Sequence, residues 1–193
     1  MDLSTLALRE PQISPKGARS AQLITTPQNE RVYLNLGSKL EPLRSPFGAT
    51  TFGDEEATRK TLEFSLDPSQ IEFWADFDRW CVGYLADQAT RFFKKPMTRE
   101  AIESTYKSPV SQKGDYRPML RTKINTTGSN AVRCWNERGE RVELPDDLRG
   151  YDLVPRVHVS HMWFMSKECG WVCNVTDLMV RSQPQISPFA DED

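Results

Sequence analysis

The residues best suited to chemistry in this chain are cations set beside aromatics. Between residues 91 and 133, ten lysines and arginines stand against three acids, whereas from residue 137 onward acids outnumber bases. The net charge of −2 therefore hides a dipolar chain, and any attraction for a polyanion must be local. Side chains alternate along an extended segment, so Arg121 and Lys123 share one face while Leu120, Thr122 and Ile124 share the other. The next segment repeats the arrangement, with Arg133 and Trp135 outward and Val132 and Cys134 inward. Cations can follow phosphates while an indole stacks on a base, at about 1–3 kcal/mol per base, which suits a single-stranded nucleic acid. Lys107, Lys113 and Arg117 lie in the same stretch and extend the surface. The plainer alternative is a solvated sheet face with Trp135 half-buried under a loop.

His158, His161, Cys169 and Cys173 are residue types that zinc accepts, gathered in a short stretch. Their spacing argues against a site. Residues 158 and 161 fall on opposite faces of a continuous strand, and there is no Cys-x-x-Cys pair. The four cysteines, Cys81, Cys134, Cys169 and Cys173, are expected as reduced, mostly buried thiols, and neither a metal nor a cofactor is expected. No serine elbow, paired-carboxylate motif or Cys/His arrangement marks a catalyst, and Asp146 and Asp147 after Pro145 read as a solvated turn. The expectation is a binding protein rather than an enzyme. Two other readings stay open: a structural or scaffolding component of a virion or replication complex, and a metal-dependent nuclease whose carboxylates lie far apart along the chain.

The elements that must position these residues can be read from periodicity. Alternation predicts strands over residues 22–26, 31–36 and 60–66, with a turn-rich loop over residues 42–54. Asp67-Pro68-Ser69-Gln70 forms a capping box, with proline at the first helical position, and opens the one long helix. Its apolar stripe includes Ile71, Trp74, Phe77, Cys81, Tyr84, Leu85 and Phe92, which places it on the core, and Pro96 ends it near Lys95. A shorter helix is expected over residues 98–105, capped by Thr98. Beyond Tyr106 the period shortens to two, predicting strands over residues 119–125, 131–136, 155–164 and 170–181. The connections suit a small closed or partly open barrel, so the fold class is mainly β (α+β). There is no glycine-rich phosphate loop, no βαβ alternation and no internal repeat.

A chain of 193 residues with this aromatic content fits one domain with a core. Residues 1–21, with Pro11, Pro15 and Gly17, read as a flexible arm, residues 22–181 as the domain, and residues 182–193 as a disordered acidic tail. No apolar run approaches a spanning helix and the start lacks a secretion signal, so no membrane is expected and the chain reads as intracellular, in nucleus or cytoplasm.

Taken in order, Tyr106-Lys107-Ser108-Pro109, Tyr116-Arg117-Pro118, Leu120-Arg121-Thr122-Lys123-Ile124, a Trp-containing strand over residues 159–164, and Gly170 before a Val-rich strand form a pattern. It resembles the oligonucleotide-binding-fold single-stranded-DNA-binding proteins of large DNA viruses and short-tailed phages. The resemblance runs from about residue 106 to the end, with residues 44–66 supplying earlier strands. It implies a five-stranded OB-fold-like barrel with one long amphipathic helix and a short second helix, and a cationic, aromatic cleft across it. It would place Arg121 and Lys123 in the cleft and Tyr106 and Tyr116 at its rim. Phe189, Asp191, Glu192 and Asp193 would form a tail that occupies the cleft or recruits replication proteins. Tails of this type often end on an aromatic residue, whereas here Phe189 precedes the acids. The partners implied are single-stranded DNA or RNA, replication proteins, and a second copy of the chain.

Overall fold

The computed structural model describes residues 1–51 and 57–182. In chain order its elements are β1 (Leu6–Leu8), β2 (Gln12–Ile13), β3 (Arg19–Thr25), β4 (Val32–Asn35), β5 (Ala49–Thr50), β6 (Arg59–Ser65), α1 (Pro68–Asp87), α2 (Ala89–Phe93), α3 (Arg99–Thr105), β7 (Tyr106–Lys107), β8 (Val110–Ser111), β9 (Met119–Asn125), β10 (Arg133–Trp135), β11 (Arg141–Val142), β12 (Tyr151–Phe164) and β13 (Cys169–Ser182). The mainly β, α+β character is as expected.

The antiparallel pair β12 and β13, each fourteen residues long, is the spine. The outer edge of β12 carries β3 at its Phe164 end and β4 along Arg156 to Val159. The free edge of β13 is covered in succession by β7, β9 and β10, all parallel to it. β9 pairs antiparallel with β6 along seven residues, and β6 with β5. Among the described residues the sheet has thirteen strands, seven of them in the path β1-β3-β12-β13-β9-β6-β5, which has two open ends, and six paired off that path. The expected five-stranded barrel is not confirmed by this open sheet. Short strands such as β1, β2, β7 and β8 are too brief to show a period and form because a longer neighbour offers an unpaired edge.

The first residues are corrected. Leu6 and Leu8, expected in a flexible arm, are buried, with β1 pairing against Leu23 to Thr25. The Leu8 amide donates to Tyr84 Oη at 3.2 Å, and Arg91 donates to the Leu8 carbonyl at 3.0 Å. Two alternating leucines suffice once a sheet edge and a helix wall stand beside them.

The α1 helix begins as its capping box dictates: Asp67 Oδ1 accepts from the Gln70 amide at 2.8 Å and Gln70 Oε1 accepts from the Asp67 amide at 3.1 Å. The stripe of Trp74, Phe77, Cys81 and Leu85 is buried, and the Phe77 ring lies 5.2 Å from that of Trp171 on β13. The helix thus covers one face of the spine. It does not run unbroken to Lys95: the backbone leaves helical geometry at Gln88, α2 follows, and Lys94 closes it at φ 60°. Phe92 on α2 stacks on Phe164, so the shorter helix extends the core along β12.

Candidate nucleic-acid interface

The face of the spine turned away from α1 is concave. On β13, Trp171, Cys173 and Val175 are buried, Trp171 against Phe77 of α1, while the side chains between them alternate toward the other face. Two β-bulges shape that face. One leaves Thr176 unpaired between Asp177 and Val175, and the other leaves Ser160 unpaired between Val159 and His161.

The second bulge corrects the expectation that His158 and His161 point apart. An extra residue resets the alternation, so both imidazoles are half-buried on the outer face, with Ser160 Oγ 2.7 Å from His161 Nδ1. Burial, followed by Arg31 and His161, pushes the His158 pKa down; burial, followed by Arg59, does the same to His161. Both rings are therefore neutral at pH 7. Cys169 and Cys173 are buried in the core instead, where burial raises their thiols to about 11 and about 12. Among the described residues no three His, Cys, Asp or Glu side chains gather as a cation site.

This face opens into a trough of about 1450 Å³, lined by arginines from five separate parts of the chain: Arg9, Arg31, Arg59, Arg133 with Arg141, and Arg156. Its volume exceeds the roughly 300–1,000 Å³ usual for small-molecule pockets and suits a polymer segment. Among the described residues only Arg133 has a carboxylate partner, Asp177 at 2.8 Å. Arg9 bonds to the neutral side chains of Asn29 and Gln22, and Arg59 reaches Asn174 at 3.5 Å. Among the described residues Glu30 is the one acid on the lining. Tyr33, 39% exposed on β4, stacks on His158 at 4.9 Å, and the Arg156 guanidinium lies 4.6 Å from its ring centre. An aromatic platform thus sits among cations.

The residues singled out in the sequence divide. Arg133 lines the trough. Trp135 is half-buried beside it: its Nε1 donates to Asp177 at 3.2 Å and Arg141 lies 5.4 Å from its ring centre, so the indole is pinned. Lys123 lies at the margin, opposite Asn174 of the trough, where its ammonium donates to Thr61 at 2.8 Å. Burial first, then Arg59 and Arg121, lowers its pKa.

Farther along the same face, Arg121 and Lys113 are held by Glu63, a buried carboxylate, at 3.1 and 2.6 Å. Burial alone would raise the Glu63 pKa, yet the hydrogen bonds from Lys113 and Arg121 overcome it and hold the group ionised. Tyr116 is 51% exposed and meets Phe47 edge-on at 5.2 Å. Lys113 sits 5.2 Å from the Phe47 ring centre, and Arg117 is exposed nearby in sequence.

Two placements differ from expectation. Tyr106 is not a rim residue: its hydroxyl donates to Asp78 on α1 at 2.6 Å, and burial raises the pKa of both groups. Lys107 is tied to Glu168 at 3.3 Å. Phe189, Asp191, Glu192 and Asp193 lie outside the described residues.

The sequence reading missed most of the trough. Arg31 and Tyr33 do alternate outward from Val32 and Leu34, a usable signal, but Arg9, Arg59, Arg141 and Arg156 are isolated in sequence and converge only through strand pairing. No family model matches the chain, and no curated protein matches it in sequence. Solved structures do match in fold. A single-stranded DNA binding protein encoded by bacteriophage T7, gp2.5, aligns with a TM-score of 0.52 at 10% identity, over 83% of this chain and 96% of that one. A single-stranded DNA-binding protein from bacteriophage Enc34 aligns with a TM-score of 0.44 at 9% identity, over 97% and 96% of the two chains. The same Enc34 protein in complex with single-stranded DNA gives 0.46 at 10% identity, over 95% and 96%. At 10% identity the property shared with the T7 protein is the fold, which spans 96% of that protein's chain.

Proposed function

We propose that this chain binds single-stranded DNA without sequence preference, in support of replication, recombination or repair, through the arginine trough on the outer face of β3, β4, β12 and β13. The observation that carries the reading is the surplus of arginines over carboxylates in that trough among the described residues, because cations without a carboxylate partner are those able to neutralise phosphates. Tyr33 and His158 supply a ring platform for bases, a sequence-tolerant contact. The fold shared with the T7 protein, which is named for single-stranded DNA binding, supports the same reading. Whether the curved sheet works as an oligonucleotide-binding barrel belongs to this proposal.

The margin of the site is Lys123, with Arg121, Lys113, Arg117 and Tyr116 as its extension. The tail residues Phe189, Asp191, Glu192 and Asp193 are proposed contacts for replication proteins, consistent with their acidic character. Binding, not catalysis, is the activity we assign. The test is a titration of the protein with oligothymidine and with a duplex of matched length at several salt concentrations. The expected result is preference for the single strand and a steep fall in affinity with salt. No binding to oligothymidine at low salt would overturn the reading.

A further inference from the structure

We propose that the single strand continues past the trough into a second groove, where the Trp163 indole forms a stacking platform and Lys95 and Lys167 take the phosphates. This rests on the trough reading and adds a second subsite to it.

Continuity of the face is the first support. His161 pairs with Gln22, a trough residue, and two positions farther along the same two strands Trp163 pairs with Ser20. Side chains two apart share a face, so Trp163 follows about 7 Å beyond His161 on the same surface. There it lines a separate groove of about 880 Å³ at the end of the sheet, whose opposite wall is formed by Phe92 and Phe93 of α2.

The seat of the indole is the second. A Cβ at Gly170 would stand 2.8 Å from Trp163 Cζ2 and 3.0 Å from the Lys107 carbonyl, so the ring rests against bare backbone. The glycine is needed for this close approach and not for its own conformation. Phe164, the next residue, also borders the groove but is buried in its stack on Phe92, so Trp163 is the less buried ring of this strand end.

Charge is the third. Among the described residues Lys16, Lys95 and Lys167 on the groove make no ion pair, while the one acid of the lining, Glu168, is engaged by Lys107 at 3.3 Å. An aromatic floor ringed by unpartnered ammonium groups matches a base and its flanking phosphates.

The experiment compares binding of two oligothymidines, one of about five nucleotides that fills the trough and one of about fifteen that spans both grooves. The variant Lys95→Glu/Lys167→Glu, altered at exposed positions only, is expected to bind the long strand about tenfold more weakly and the short strand as wild type does. Trp163→Ala should show the same split, and Trp163→Phe should restore most of the loss. Arg59→Ala serves as the contrast and weakens both lengths. Unchanged long-strand affinity in the charge-reversed variant, or equal weakening at both lengths, would overturn the second subsite while leaving the trough intact. So would long-strand affinity that is unchanged while binding of an acidic peptide is lost, the signature of a peptide groove. Failure of the unaltered protein to bind either length would overturn the trough and the extension together.

Discussion

Two cationic regions of this molecule share one sheet face and differ in what holds their charges. In the trough, Arg59 of β6, Arg133 of β10, Arg141 of β11, Arg156 of β12 and also Arg9 and Arg31 stand, among the described residues, mostly without carboxylates. On the β6 and β9 strip, Arg121 and Lys113 converge on the buried Glu63. The strip is the more obvious in sequence, and most of the trough is not legible there. The contrast teaches that a cation's availability to a ligand depends on its internal partners, and that a dense basic stretch can be partly consumed by the fold itself.

The largest effect that would break this contrast is on the trough. Arg31→Ala/Arg59→Ala/Arg156→Ala should lower oligothymidine affinity by two or more orders of magnitude at low salt and reduce the salt slope by about 2, at about 0.7 per lost phosphate contact. A fluorescence or filter titration across salt concentrations reads both. An unaltered slope would show that phosphates do not enter the trough.

The strip should answer mainly in stability. Lys113→Ala/Arg121→Ala leaves Glu63 buried without a cation, and because both cations are about half exposed the cost is discounted to about 2 kcal/mol. Denaturant midpoints measure it, and oligothymidine affinity should fall far less than in the trough variant. The wild-type Glu63 contribution has a definite sign. Its pKa is depressed below 4.5 in the folded state, so the stabilisation is present above that value and disappears as pH falls through the folded pKa. Glu63→Gln should flatten that part of the acid-unfolding curve.

A smaller, opposite pair of pH effects belongs to His158, which lines the trough, and its neighbour His161. Their folded pKa values lie below 6.5, so the unfolded chain takes up protons first and stability declines as pH drops from that value through the folded pKa. Phosphates beside the rings favour the imidazolium, so binding should strengthen by several-fold between about pH 8 and about pH 5.5. Titrations of His158→Gln/His161→Gln across this range should lose the trend.

The smallest expected effect is that of Tyr106→Phe, which removes the donor to Asp78. A stability loss of about 1 kcal/mol with unchanged oligothymidine affinity would separate this internal hydroxyl from the interface. Altered affinity would return Tyr106 to the binding surface.

Much of the fold was legible. The strand over residues 119–125 coincides with β9, the capping box at Asp67 opens α1 where expected, and Leu120, Thr122 and Ile124 are buried as alternation requires. These are local patterns, governed by residues two to four apart. The site was less legible. Arg121, Lys123 and Arg133 do lie on the outer face, yet Tyr106 turned inward because α1 presents Asp78 to its hydroxyl, a contact 28 residues away in sequence.

The sequence by itself determined which side chains leave the core and where the long helix starts, because burial periodicity and caps are written in neighbouring residues. Only the tertiary structure decided which outward side chains meet. The Ser160 bulge put two histidines on one face, the pairing of β3 and β4 along β12 brought Arg31 and Tyr33 to Arg156, and the β6 register set Glu63 against Arg121. Those encounters depend on strand registers fixed by burying the opposite face of the sheet, a constraint that no single segment carries.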